Sequence, residues 1–121
     1  FSSASAIMNH IKGGKVKALA VSTPRRLASL PNVPTVAEVA APGFEFSLWG
    51  GYFAPRETPD AIVNRLNAEI LKVLAEPDLR ARFEADGSAV EPMSPAQFAA
   101  FVKADTEKYA RLVRQTGAQI E

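Results

Sequence analysis

The feature that most constrains the fold is a short apolar run that follows the paired glycines Gly13 and Gly14. Residues 15–22 read Lys-Val-Lys-Ala-Leu-Ala-Val-Ser, and the pattern changes from alternating to continuously apolar. A strand buried on both faces has this pattern, and parallel sheets covered by helices bury their strands in this way. The run therefore predicts a sheet strand. With helices before and after it, the expected fold class is α/β or α+β.

Local signals predict where the helices begin and end. Ser3 or Ser5 is expected to cap a first helix that stops at the two glycines, because glycine accepts the left-handed conformation at a helix end. Thr58 is expected to cap a later helix that has Pro59 in its first turn. Each of these signals is local, so each predicts an element independently of the others.

Further elements follow from proline, glycine and the apolar spacing. The predicted elements are, in chain order, a short helix at residues 35–39, an extended segment at residues 44–54, a helix that starts at Pro77, a short strand at residues 88–91, and a final helix from a capping box at residues 94–97 to Gly117.

The later helices carry apolar side chains at helical spacing, which predicts buried faces. We expect the three helices after residue 57 to pack on one sheet that includes the strand around Phe53. The side chains expected to be mostly buried there are Leu66, Ile70, Phe83, Phe98, Phe101 and Leu112.

Composition and residue types argue against several kinds of function. Hydrophobic residues make up 47% of the 121 residues and the net charge is +1, so nothing indicates a basic surface for nucleic acid. The chain has no cysteine and its one histidine is His10, so no catalytic triad and no set of metal ligands can be assembled. Glu57 and Asp60 flank a helix start and are interpreted as partners of its dipole. The expectation is a protein without catalytic residues, metal or cofactor.

Two groups of residues are candidates for ligand binding. Ser2, Ser3 and Ser5 crowd the start of the first helix, where free amide groups and hydroxyls suit a carboxylate. Simple N-capping is the alternative interpretation. Trp49 stands beside Gly50 and Gly51, which fits a cleft wall or hinge, the alternative being a bulged core strand.

Three stretches, taken together, resemble the solute receptors of tripartite tricarboxylate transporters, the TctC-like or Bug-type receptors. They are residues 10–21 (His-Ile-Lys-Gly-Gly-Lys-Val-Lys-Ala-Leu-Ala-Val), residues 30–44 with Leu-Pro-Asn-Val-Pro-Thr-Val-Ala-Glu and Pro-Gly-Phe, and residues 49–70 with Thr58-Pro59 and Leu-Asn-Ala-Glu-Ile. The closing helix also matches in type and place. The resemblance covers nearly the whole chain.

The resemblance implies the carboxy-terminal portion of a two-lobed periplasmic binding protein that closes around a cleft. Residues 1–43 would then complete the second lobe, residues 44–55 would cross between the lobes, and residues 56–121 would belong to the first lobe. The family implies capture of small carboxylates in the periplasm and delivery to a membrane permease. A signal peptide would lie before Phe1, and Ser2 and Ser3 would face the cleft.

Other expectations remain open at this stage. A small α/β module that binds another protein and no ligand is the main alternative function, and an enzyme domain is a weaker one. The start at Phe1 is interpreted as a cut within a longer protein. Such a cut would leave residues 15–22 with an unpaired edge. We therefore expect self-association through Leu19, Val21, Leu48 and Trp49, or else disorder of residues 1–43.

Overall fold

The computed structural model describes residues 1–117, and the regular elements in that part are helices. The helices are α1 (Ala4–Lys12), α2 (Val36–Val39), α3 (Asp60–Leu74), α4 (Pro77–Ala85) and α5 (Pro95–Thr116). Each one forms where the sequence signals predicted a helix.

The predicted capping groups are present at both ends of the chain. Ser3 caps α1, with its side chain accepting a hydrogen bond from the amide of Ala6. Ser94 and Gln97 form the predicted capping box of α5, and Gly117 ends that helix in the left-handed conformation with φ of 66°. Capping groups of this kind satisfy backbone groups that have no partner inside the helix.

The prediction for the start of α3 was wrong by one position. The helix begins at Asp60, and the carbonyl of Pro59 accepts hydrogen bonds from the amides of Ile62 and Val63 at 2.9 and 3.1 Å. Pro59 therefore occupies the capping position that was expected of Thr58. The amide of Thr58 instead donates to the carbonyl of Pro55 at 3.0 Å, in a turn before the helix.

The three predicted strands, at residues 15–22, 44–54 and 88–91, do not form within the described residues. The pairing recorded there is one isolated parallel bridge between Val21 and Thr35. A strand needs a neighbour along its length, because its backbone groups bond outside the segment. The apolar pattern indicates which faces of a segment can be buried, but it does not show whether a second strand lies beside the segment.

The predicted core was also wrong for half of its members. Leu66, Leu112 and Phe83 are exposed, at 52%, 42% and 38% of their surface. Ile70, Phe98 and Phe101 are half-buried, and the last two rings stack at 6.4 Å. Helical spacing places side chains on one face, but the face is buried only where another element covers it.

Contacts divide the chain into two compact units. Unit 1 comprises Phe1–Phe53 and Val73–Val90, and unit 2 comprises Ala54–Lys72 and Glu91–Glu121. The assignment of residues 1–43, 44–55 and 56–121 to two lobes and a crossing remains a prediction.

The tightest packing described lies in unit 1, where the turn after α4 meets α1. Met8 of α1 is the one buried apolar side chain among residues 1–117, with 1% of its surface exposed. Gly87 follows α4 with φ of 78°, and a Cβ built on it would lie 2.7 Å from the Cβ of Ala4 and 2.8 Å from the Cε of Met8. Glycine is therefore required here both by its conformation and by its neighbours.

Candidate functional site

The serine-rich start of α1 is the best candidate for ligand contact. The Oγ of Ser3 accepts a hydrogen bond from the amide of Ala6 at 3.4 Å. The Oγ of Ser5 donates to the Oγ of Ser3, and the Oγ of Ser2 donates to the carbonyl of Ser3, both at 3.4 Å. These distances are long for hydroxyl hydrogen bonds, so the hydroxyls can exchange them for better partners at little cost.

The electrostatics at this end of α1 favour an anion. The first amides of a helix have no partner inside it, and the helix dipole is positive at this end. The first turn of α1 holds no acidic residue that would compete for this position, and the basic residues His10 and Lys12 lie in its last turn. Ser2 and Ser5 are exposed and Ser3 is half-buried, so the hydroxyls are accessible. A carboxylate is the kind of group that this arrangement can bind.

The predicted extended segment at residues 44–54 has a ring contact with Phe1, the residue before the serines. The ring of Phe46 meets the ring of Phe1 edge-on, with centroids 6.5 Å apart. Trp49 follows three residues later with 40% of its surface exposed. A Cβ on the neighbouring Gly50 would meet nothing within 4 Å, so packing does not require a glycine there. Whether Trp49 contacts a ligand remains a prediction, as it does for the three serines.

Sequence reasoning missed a polar network around the start of α2. The Nε of Arg26 donates to both carboxylate oxygens of Glu38, at 3.2 and 3.1 Å, and its Nη1 donates to the carbonyl of Pro31. Glu38 also accepts from the amide of Thr35 at 2.6 Å, and its own amide donates to the Thr35 hydroxyl at 3.1 Å. Thr35-x-x-Glu38 is a capping-box pattern, which was the signal available in the sequence.

The same network perturbs the carboxyl group of Glu38. The hydrogen bond from the Thr35 backbone, followed by that from Arg26, lowers the pKa of Glu38 below its usual 4.5. Both bonds are made to the charged form and therefore favour it. The network joins Arg26 to the start of α2 across the loop between Arg26 and Thr35.

A shallow pocket of about 390 Å³ lies in unit 1. Its lining residues are Lys12, Ala28, Ser29, Ala81, Glu84 and Ala85. The ammonium group of Lys12 donates to the carbonyl of Ala85 at 3.0 Å, which joins the ends of α1 and α4. A cation at the carboxyl end of a helix is stabilising, so this lysine has a sufficient structural explanation.

The described residues show neither a metal site nor a membrane-spanning helix. Residues 1–117 contain no group of three or more side chains placed to hold a metal ion. No helix in that part of the chain has the length and apolar character needed to cross a membrane.

Solved structures of similar fold include a periplasmic binding protein. The periplasmic binding protein BugD matches with a TM-score of 0.84 and 32% identity, over 95% of this chain and 39% of BugD. MatC from Rhodopseudomonas palustris, solved with bound malate, matches with a TM-score of 0.81 and 34% identity, over 91% of this chain and 38% of MatC. The fold is thus that of a portion of a periplasmic binding protein, which confirms the expected class.

Sequence comparison identifies the family. A protein of Pseudomonas sp. (strain P51), named UPF0065 protein in the tcbD-tcbE intergenic region, is 41% identical over 105 residues, which cover 86% of this chain and 31% of that protein. Residues 1–118 match the tripartite tricarboxylate transporter family receptor, TctC. The chain belongs to this receptor family. It spans about a third of the length of the relatives that it matches.

Proposed function

We propose that this chain contributes to a periplasmic receptor that captures small organic acids and passes them to the membrane permease of a tripartite tricarboxylate transporter. Membership of the receptor family over residues 1–118 is the observation that carries the proposal. MatC, which is 34% identical, was solved with malate, and this supports carboxylates as the ligand class.

Within this function, Ser2, Ser3 and Ser5 bind a carboxylate of the ligand. Their hydroxyls and the free amides of the first turn of α1 supply neutral donors and the positive end of a helix dipole. Trp49 contributes an apolar wall beside them. Neutral donors suit a receptor that must release its ligand to the permease.

The proposed function includes no chemical step on the ligand. Acid–base catalysis needs a titratable group in reach of the substrate, and the serines of this site have no histidine among their hydrogen-bond partners. His10 lies in the last turn of α1, at the far end from the serines. A receptor that binds and releases its ligand unchanged does not require a titratable group beside the serines.

One pair of substitutions separates ligand binding from helix capping. Ser3→Asn and Ser3→Asp both preserve an N-cap, so α1 is expected to remain stable in each. Only aspartate places a negative charge beside the ligand carboxylate. Like charges about 4 Å apart repel by several kcal/mol at a partly exposed site, so Ser3→Asp should weaken malate binding at least about tenfold relative to Ser3→Asn.

The measurement is calorimetric titration with malate of a chimera in which this chain replaces the matched part of MatC. The unsubstituted chimera is the reference, and circular dichroism checks its folding. A folded chimera that fails to bind malate or other small organic acids would contradict the proposed ligand class. Equal affinities of the two Ser3 variants would leave Ser3 with its capping role alone.

Removing hydroxyl groups tests the remaining serines. Ser2→Ala combined with Ser3→Ala should weaken malate binding, with each lost bond to a charged group costing about 1.5–3 kcal/mol. Ser94→Ala is the matched control, since Ser94 caps α5 as Ser3 caps α1 and lies in unit 2. Unchanged affinity in a folded double variant would exclude these hydroxyls from the site.

A further inference from the structure

The turn that follows α4 is a closely bonded element of unit 1. Gly87 has φ of 78° and occupies the glycine position of a Schellman motif at the end of the helix. Its amide donates to the carbonyl of Glu84 at 3.0 Å, and the amide of Ser88 donates to the carbonyl of Phe83 at 2.8 Å. These two hydrogen bonds fix the position of the turn relative to α4.

One face of α1 lies against this turn from its first residue to its last. Ala4, Met8 and Lys12 follow one another at intervals of four residues, which places them on the same face of the helix. A Cβ on Gly87 would lie 2.7 Å from the Cβ of Ala4 and 2.8 Å from the Cε of Met8. The ammonium group of Lys12 donates to the carbonyl of Ala85 at 3.0 Å. The turn therefore restrains both ends of α1.

The first of these contacts lies within the serine group. Ala4 stands between Ser3 and Ser5, so the backbone that carries the hydroxyls also carries the methyl group beside Gly87. The side-chain hydrogen bonds of the serines are 3.4 Å long and restrain the helix start only weakly. Packing against Gly87 is the closer restraint on where the hydroxyls lie.

We propose that Gly87 is a positioning residue for ligand binding. Because it has no side chain, α1 can approach the turn closely enough for the serine group to meet a ligand carboxylate. This role rests on the proposed function, in which Ser2, Ser3 and Ser5 bind that carboxylate. Gly87 itself does not touch the ligand and acts through the position of Ala4.

A methyl group on residue 87 displaces the start of α1. Its contact with the Cβ of Ala4 must lengthen from 2.7 Å to the 3.4 Å at which ordinary contact begins. That displacement exceeds the tolerance of about 0.5 Å within which binding groups must be held. Gly87→Ala should therefore cost the carboxylate at least one hydrogen bond, which corresponds to a loss of affinity of about tenfold or more.

Amide chemical shifts of the chain itself give the first test. The amide shifts of Ser2, Ser3 and Ser5 should change in Gly87→Ala, because the methyl group moves the backbone of α1. Gly43→Ala is the matched control, since Gly43 has φ of 79° in the same unit and a Cβ on it would meet nothing within 4 Å. Unchanged serine shifts in Gly87→Ala, or equal changes in both variants, would overturn the proposal.

Malate titration of the MatC chimera gives the second test. Gly87→Ala should bind malate about tenfold or more weakly than Gly43→Ala does. Adding Ala4→Gly to Gly87→Ala should restore most of the affinity, because it removes the Cβ that the new methyl group meets. A general loss of stability predicts no such recovery, since the double variant keeps the strained φ and gains a helix-weakening glycine.

Ala4→Val tests the same contact from the side of α1. It adds bulk beside Gly87 and leaves the left-handed conformation of the turn unstrained, so it serves even where Gly87→Ala does not fold. Ala4→Val should also weaken malate binding, with circular dichroism as the check on folding.

The outcomes distinguish failure of this role from failure of the proposed function. A folded chimera that binds malate and keeps its affinity in Gly87→Ala or in Ala4→Val would overturn the positioning role alone. A loss of affinity in Gly87→Ala that Ala4→Gly does not restore would do the same. A folded chimera that binds no small organic acid would overturn the proposed function, and the positioning role with it.

Discussion

At the scale of single residues, Glu38 holds together a loop and a helix start. Its carboxylate accepts hydrogen bonds from Arg26 and from the amide of Thr35, and these contacts lower its pKa. A carboxyl group with a lowered folded-state pKa stabilises the fold at every pH above its unfolded value. That stabilisation is lost as the pH falls from about 4.5 through the folded-state pKa.

Glu38→Gln should therefore reduce the free energy of unfolding at pH 7, and the deficit should shrink on acidification. Glutamine preserves the capping geometry but offers Arg26 no charge. Urea titrations between pH 7 and pH 3 measure this, followed by fluorescence of Trp49, which is the single tryptophan and lies in the same unit.

Glu69→Gln is the matched control for the loss of one carboxylate. Glu69 pairs with Lys72 at 2.9 Å on an exposed helix face, where an ion pair contributes little to stability. A deficit for Glu38→Gln that stays constant between pH 7 and pH 3 would contradict the role given to its charge.

At the scale of elements, the contact between α1 and the turn after α4 rests on Gly87. Its φ of 78° disfavours any other residue, and a methyl group there would meet the Cβ of Ala4 at 2.7 Å. The end of the Met8 side chain can move aside, but the Cβ of Ala4 is fixed to the backbone of α1. A substitution at Gly87 must therefore push the two elements apart.

Gly87→Ala and Gly43→Ala form a matched pair that separates these effects. Gly43 has φ of 79° in the same unit, and a Cβ on it would meet nothing within 4 Å. Both variants should lose about 1–2 kcal/mol through the left-handed conformation. Gly87→Ala should lose a further 1–3 kcal/mol or so through overpacking. Urea unfolding followed by Trp49 fluorescence measures the free energy of unfolding of each variant. Equal losses in the two variants would show that α1 can move to accommodate the methyl group without loss of stability.

At the scale of the whole molecule, little apolar surface is buried among the described residues. Met8 is buried, whereas Tyr52, Ile62 and Val73 each have half or more of their surface exposed. The relatives matched by the chain are about three times as long, so they have residues available to cover such side chains. Unfolding of this chain alone should therefore expose relatively little new surface.

The free energy of unfolding is therefore expected to fall only slowly as the urea concentration rises. The slope increases with the surface exposed on unfolding and is usually about 1–3 kcal/mol per M for small proteins. This chain should lie near or below the lower end of that range. BugD, measured in the same way and scaled by length, is the comparison. An equal slope per residue in the two proteins would contradict the expectation.

The outcome of the sequence predictions follows how far apart the interacting residues lie. Helix ends were predicted because Ser94 with Gln97, or Ser3 with Ala6, interact within one turn. The strands predicted at residues 15–22 and 44–54 do not form within the described residues, because strand pairing needs a partner that is distant in the chain. The prediction of buried core residues was wrong for half of them for the same reason, since Leu66 and Leu112 occupy apolar faces that no described element covers fully. In the candidate site, the serine group was correctly placed at the start of α1, whereas Arg26 and Glu38, twelve residues apart, were not associated.

The burial of Met8 has a chemical consequence. The chain has two methionines: Met8 is closed off in unit 1, and Met93 lies half-buried in unit 2, where its carbonyl accepts from Asn67 at 3.0 Å. Peroxide converts an accessible thioether to its sulfoxide, while an enclosed one reacts only when its surroundings open. The ratio of the oxidation rate of Met8 to that of Met93 therefore measures how often unit 1 opens locally around Met8. Mass spectrometry detects the added oxygen at each methionine without any label.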